Sequence, residues 1–307
     1  MSFLQVGWRV YSGLILCLLL LIGGVWYLSQ ETAEPVAEEP LPAPVTIEPV
    51  AEPLIEEAVI GASVEGRAIR ATTIRPLTES DTETRHLLLV GGIHGGYEWN
   101  SALLAYEMID YYTKNQALLP SNVTITIIPD LNPDATFAVT GKEGRFITAD
   151  VAEPGTRVGE ARFNTNGVDL NRNFDCKWQP ESTWRGRTVS AGTAPFSEPE
   201  AQAVRDWVLA NNPDAAVFWH SQANNVYASE CEAGVLPATL TLMSTYARAA
   251  DYGEVPVFDA YPVTGDAEGW LASIGIPAVT VELESFRTSE FDRNLAGTQA
   301  IIDLYSN

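Results

Sequence analysis

His86-Leu-Leu-Leu-Val-Gly-Gly-Ile-His94 is an apolar run of strand length that breaks at two glycines and ends on a histidine. A continuous run of aliphatic residues, rather than an alternation, reads as a strand buried on both faces. The pattern recurs in Ala215-Ala-Val-Phe-Trp-His220 and in Ala278-Val-Thr-Val-Glu282. Strands covered on both sides need helices above and below, so these runs predict an α/β layered domain. In open sheets of that kind, ligands sit beyond the carboxyl ends of the strands. His94, His220 and Glu282 all fall at such ends, and Glu98 follows His94 by four residues. The chain has only three histidines, and two of them stand here. A pair of neutral imidazoles plus a carboxylate is the ligand set of a catalytic zinc, which keeps a fourth position for water. The pattern predicts a metal-dependent hydrolase. His86, at the start of its strand, has no carboxylate partner nearby in sequence and reads as an ordinary histidine.

Further strands are expected at residues 69–74 and 123–128. Helical spacing covers 101–112, 198–210 after the capping sequence Ser197-Glu-Pro-Glu200, 238–250 and 294–305. The expected fold is a single globular α/β domain with a mixed, mostly buried central sheet flanked by helices. The irregular stretch 140–196 is too long for a plain connection and is expected to build a site.

Residues 10–28 carry no charge and are long enough to cross a bilayer as a helix. Arg9 precedes them and acidic residues follow, which predicts an N-terminal transmembrane anchor (1–30) with the remainder outside the cytoplasm. A cleaved signal peptide is the alternative. Residues 31–58 hold eight Glu and six Pro with no Lys or Arg, the composition of a disordered tether. The catalytic domain is then 59–307. Removing the tether's carboxylates and Arg9 from the formal charge of −22 leaves −15 for that domain, which argues against nucleic acid and anionic lipid as partners. The membrane would be met only through the N-terminal helix. Of three cysteines, Cys17 is in the apolar segment. Cys176 and Cys231 remain, either as one disulfide or as two free thiols.

Several motifs resemble the zinc carboxypeptidases, in that family's order and over nearly all of 59–307. Gly61-Ala-Ser-Val-Glu-Gly-Arg-Ala-Ile69 is similar to the opening strand pair, and Gly91-Gly-Ile-His-Gly-Gly-Tyr-Glu-Trp99 to the first zinc motif. Asn166-Gly-Val-Asp-Leu-Asn-Arg-Asn-Phe174, the most specific element, resembles the substrate-carboxylate motif. Phe196-Ser-Glu-Pro-Glu200, Trp219-His-Ser221 and Thr280-Val-Glu-Leu283 complete the set.

The resemblance implies one zinc per chain held by His94, Glu98 and His220, with Asp169 accepting a hydrogen bond from His94. The family usually puts two residues between the first histidine and the glutamate, whereas three stand here, and a turn of two glycines can absorb the extra one. Glu282 would be the general base, with Glu284 as rival. Arg162 would face the oxyanion, as in the bacterial branch, with Arg145 or Arg157 as substitutes. Asn171 and Arg172 would hold a substrate carboxylate, and Tyr261 would close over it. Glu268, with Asp266, would line the pocket for the residue after the cut and favour a basic or diaminopimelate side chain. The implied substrate is a nutrient peptide or a cell-wall stem peptide. A non-catalytic peptide- or wall-binding module on the same fold and an acyl-amino-acid deacylase are the alternatives. Oligomeric state is not legible.

Overall fold

The computed structural model describes Trp26 and residues 54–78, 83–152 and 159–307. The expected anchor, Trp26 apart, and residues 31–53 of the expected tether lie outside the described residues. No described helix is long and apolar enough to cross a membrane.

The domain is an eight-stranded mixed sheet in the order β1-β2-β4-β3-β7-β12-β8-β11. Its strands are β1 (Ile55–Ala62), β2 (Ala68–Ile74), β3 (Arg85–Val90), β4 (Val123–Ile128), β7 (Ala215–Ser221), β8 (Asn225–Ala228), β11 (Gly253–Val255) and β12 (Ala278–Leu283). Two small pairs lie outside it: β5 (Glu181–Trp184) with β6 (Arg187–Ser190), and β9 (Glu230–Cys231) with β10 (Gly234–Val235). The helices are α1 (Trp99–Lys114), α2 (Pro133–Thr140), α3 (Pro199–Asn211), α4 (Pro237–Ala250), α5 (Ala267–Ser273) and α6 (Phe291–Ser306). At the centre, β4, β3, β7 and β12 run parallel, while β1 pairs antiparallel with β2, β2 with β4 and β8 with β12, and β11 pairs parallel with β8.

Strand side chains alternate in direction, so each central strand feeds two cores. Leu87, Leu89, Val217, Trp219, Val279 and Val281 pack with α1, α4 and α6 through Leu104, Tyr112, Tyr246 and Ile301. Leu88, Val90, Ala216, Phe218 and Ala278 face the other way, towards Val204 of α3 and Leu271 of α5. By the same parity His220, Thr280 and Glu282 share this second face.

The sequence expectation for the tether ends too late. Residues 55–58 belong to β1, where Ile55, Glu56, Glu57 and Ala58 stand opposite Ile74, Thr73, Thr72 and Ala71. Glu56 and Glu57 are tolerated on an exposed edge strand because Arg75, just after β2, and Arg70 of β2 meet them at 3.2 and 2.9 Å. The expected Ser197 cap also shifts. Glu198 occupies the N-cap of α3 without a capping side-chain bond, and its carboxylate instead accepts from Asn164, Asn166 and Ser197. Cys176 and Cys231 are disulfide-bonded, with Cα atoms 5.9 Å apart. Arg145 pairs with Asp110 at 2.9 Å on the surface, and Arg157 lies outside the described residues.

Asp130, just after β4, is buried and accepts a hydrogen bond from Thr136 Oγ1 at 2.9 Å. Burial raises its carboxyl to about 7. A carboxyl whose folded pKa lies above its unfolded value stabilises most below the unfolded pKa and loses that contribution as pH rises to the folded one. From about pH 4 to 7, Asp130 therefore costs stability at up to about 1.4 kcal/mol per pH unit. Asp130→Asn is expected to flatten the pH dependence of the urea midpoint across that window. Replacing Cys176 and Cys231 together by serine is expected to cost about 2–4 kcal/mol in the same measurement.

Candidate active site

His94 follows β3 through the Gly91-Gly92 break, and a 3-10 turn, Gly95–Glu98, carries the chain into α1. The turn accommodates the extra residue because both its glycines lie against α2. A Cβ on Gly95, where φ is +47°, would come 2.5 Å from Ala135 Cβ, and one on Gly96 would come 2.5 Å from Val139 Cγ2. Glu98 ends the turn and stands at the N-cap of α1, yet its side chain does no capping. Its Oε2 lies 3.1 Å from His220 Nδ1 and accepts from Ser221 N at 3.1 Å, and its Oε1 accepts from Arg162 at 3.4 Å.

His94, Glu98 and His220 are all buried, and each offers a ligand atom within 4.8 Å of the others. The two imidazole rings meet edge to face at 4.9 Å. Burial, with Arg162 next, holds His94 well below the usual imidazole pKa, so it is neutral. Burial would also lower His220, but contacts with Glu268 and Glu98 outweigh it and raise that imidazole to about 10. Positive charge is thus demanded between these carboxylates, and a divalent cation meets the demand with both imidazoles neutral. The residues fit a zinc of the two-nitrogen, one-oxygen kind.

Glu282 stands opposite His220 in the β12–β7 ladder. Burial first, and repulsion from Glu98 second, raise its carboxyl to about 8. Its rival Glu284 is exposed and pairs with Arg293 at 3.4 Å, away from the cluster. Asp169 Oδ1 sits 3.6 Å from His94 Nδ1, beyond hydrogen-bond length, while Oδ2 accepts from Arg162 Nε at 2.9 Å. Arg162 also lies 4.8 Å from the Trp184 ring.

His94, Glu98, His220, Glu282, Arg162 and Trp184 open into one cavity of about 580 Å³, together with Asn171, Arg172, Tyr261, Asp266 and Glu268. Arg172 is buried, makes no ion pair among the described residues, and its Nε has no hydrogen-bond partner there. Asn171 Oδ1 accepts from Ala267 N at 2.8 Å, which fixes its side chain at the foot of α5. Tyr261 is exposed and packs edge to face on Phe258 at 4.8 Å. His86 is elsewhere, 2.8 Å from Thr126 Oγ1.

The sequence reading did not single out Tyr97, Trp184, Arg185 and Phe286, which form an aromatic wall of the cavity with Arg185 donating to Tyr97 Oη at 3.0 Å. For Trp184 and Arg185 the signal was the length of the stretch 140–196, which carries the β5–β6 hairpin, and Tyr97 and Phe286 lie outside it.

A family model described as zinc carboxypeptidase matches residues 51–292. The chain belongs to the zinc carboxypeptidase family. That family is zinc-dependent, and His94, Glu98 and His220 are the group here that suits the ion. Carboxypeptidase B of Astacus astacus is 29% identical over 169 residues, 53% of this chain and 52% of that protein. Gamma-D-glutamyl-L-diamino acid endopeptidase 1 of Lysinibacillus sphaericus is 26% identical over 187 residues, 57% of this chain and 46% of that protein. The chain thus spans about half the length of the curated relatives it matches. The structure of bovine thrombin-activatable fibrinolysis inhibitor, in complex with tick carboxypeptidase inhibitor, superposes with a TM-score of 0.60 at 21% identity. The match covers 82% of this chain and 88% of that one, a likeness of fold. Animal and bacterial proteins are both represented, so the comparisons give the family without a branch.

The purified chain is expected to hold about one zinc, and His220→Ala to lose it, as read by elemental analysis. Because zinc needs His220 neutral and its metal-free pKa is raised to about 10, apparent zinc affinity is expected to rise with pH across the neutral range. Competition with a chelator at several pH values checks this.

Proposed function

We propose that the chain is a zinc peptidase that hydrolyses the amide bond next to a substrate carboxylate. One observation carries the reading: the buried guanidinium of Arg172, which makes no ion pair among the described residues, opens into the same cavity as the metal trio and Glu282. A buried cation without a counter-ion is costly unless an incoming anion completes it. A planar guanidinium takes a carboxylate through two parallel hydrogen bonds.

Zinc, when bound, supplies a Lewis acid that polarises the scissile carbonyl and eases deprotonation of water. Glu282, whose raised pKa in the metal-free chain a neighbouring divalent cation would lower, then accepts a proton as the water oxygen bonds to the carbonyl carbon, and returns it to the leaving nitrogen as the carbon–nitrogen bond breaks. Arg162, steadied by Asp169 and Glu98, directs positive charge at the oxygen where negative charge develops. Asn171 and Arg172 hold the substrate carboxylate, and Tyr261, on an exposed loop, closes over it.

Asp266 and Glu268 line the cavity, which supports a preference for an amine-bearing residue after the cut, such as lysine, arginine or diaminopimelate. The relative named as a gamma-D-glutamyl-L-diamino acid endopeptidase supports a cell-wall stem peptide as one substrate of that kind. A nutrient peptide ending in lysine offers the same chemistry. The Cys176–Cys231 bond supports an oxidising, extracytoplasmic setting, to which the apolar segment 10–28 would anchor the domain.

Glu282→Gln is expected to lower kcat about 10²–10⁴-fold on a lysine-ended peptide while zinc content stays at the wild-type level. No turnover of peptides or acyl amino acids by the zinc-loaded wild type would favour a binding module. Faster release of leucine than of lysine or diaminopimelate would refute the basic preference.

A further inference from the structure

Both acids that the sequence assigned to the side-chain pocket are engaged with the protein itself. Asp266 Oδ2 accepts from Gly269 N at 2.7 Å and caps α5. Glu268, in the first turn of α5, is 1% exposed, and its Oε1 lies 3.2 Å from His220 Nε2. The same oxygen accepts from Thr280 Oγ1 at 2.7 Å. Thr280 sits on β12 two residues before Glu282, on the face that carries His220, so helix and strand together hold the carboxylate in one place.

His220 is thereby fixed at both ends of its ring, with Nε2 towards Glu268 and Nδ1 towards Glu98 at 3.1 Å. An imidazole whose Nε2–H donates to an anchored carboxylate keeps its Nδ1 lone pair free, in the tautomer and orientation a ligand needs. His94 is held more loosely. Its carboxylate neighbour Asp169 is 3.6 Å away and already accepts from Arg162.

Resting on the zinc-peptidase reading, we propose that Glu268 is a positioning residue for the metal ligand His220, and that any contact it makes with a substrate amine is additional. The two roles use different oxygens. Oε1 holds His220 and Thr280, while Oε2 is buried and has no hydrogen-bond partner among the described residues. The reach of a glutamate is required because the carboxylate must span from α5 to the strand that carries His220.

The test is zinc affinity of the full chain, measured with zinc alone by chelator competition, with cobalt absorption as a second readout. Removing such a partner weakens metal binding about 10–100-fold, so Glu268→Leu is expected to fall in that range and to shift the cobalt bands. Glu268→Gln retains an acceptor for His220 Nε2 and is expected to recover most of the affinity, while losing any preference for lysine over leucine. Thr280→Val, which removes only the hydroxyl that steadies the carboxylate, is expected to weaken zinc several-fold and covers the case in which the leucine variant does not fold. Wild-type zinc affinity in both Glu268→Leu and Thr280→Val, or wild-type affinity in Thr280→Val when the leucine variant does not fold, would overturn the proposal and leave Glu268 a specificity residue. A wild-type chain that takes up no zinc would instead remove the zinc-peptidase reading itself.

Discussion

Parallel backbone pairing across β3, β7 and β12 sets Val90 beside Phe218, and His220 beside Glu282. A parallel ladder brings strand ends that carry chemistry to the same edge of the sheet, and alternation then decides which face they share. A slip of one residue between β7 and β12 would send Glu282 into the core formed with α1, α4 and α6. The aliphatic residues of these strands therefore do more than fill volume, since the register they enforce fixes where base and ligand stand.

The second constraint is electrostatic. Glu98, Glu268 and Glu282 crowd around His220, and Asp169 lies close by beneath His94. Such a cluster is unfavourable in a buried site unless cations balance it. Arg162 balances part, binding Asp169 and Glu98 at once. The remaining demand falls on His220, and its raised pKa in the metal-free chain expresses the same need that a divalent ion answers. Arg172 shows the opposite imbalance, a buried positive charge with no ion-pair partner among the described residues. Cation demand around His220 and anion demand at Arg172 thus face one cavity.

Much of this was legible because strand ends and catalytic residue types coincide. His94 and His220 stand out in a chain so poor in histidine, and the Asp169-Leu-Asn-Arg172 element carries chemistry in consecutive residues. Gly95 and Gly96 announced a turn able to take an extra residue, although only α2 packed against them explains why neither can carry a side chain. The first half of the edge strand β1, residues 55–58, was read as tether because Glu56 and Glu57 look like solvated charge until Arg75 and Arg70 are brought beside them. β8, β11 and the β5–β6 hairpin are too short and too mixed in polarity to announce themselves. The contact between Glu268 and His220 spans 48 residues of sequence and depends on how α5 approaches β12, which no local pattern encodes.

The disulfide has a consequence for the mouth of the cavity. Cys176 is followed by Lys177, and Cys231 is preceded by Glu230; these two neighbours line the cavity and form an ion pair at 3.7 Å. A covalent clasp and a charged one therefore close the same stretch of rim, between segments 55 residues apart. The covalent link ties these two segments together, so salt that weakens the Lys177–Glu230 pair leaves them joined.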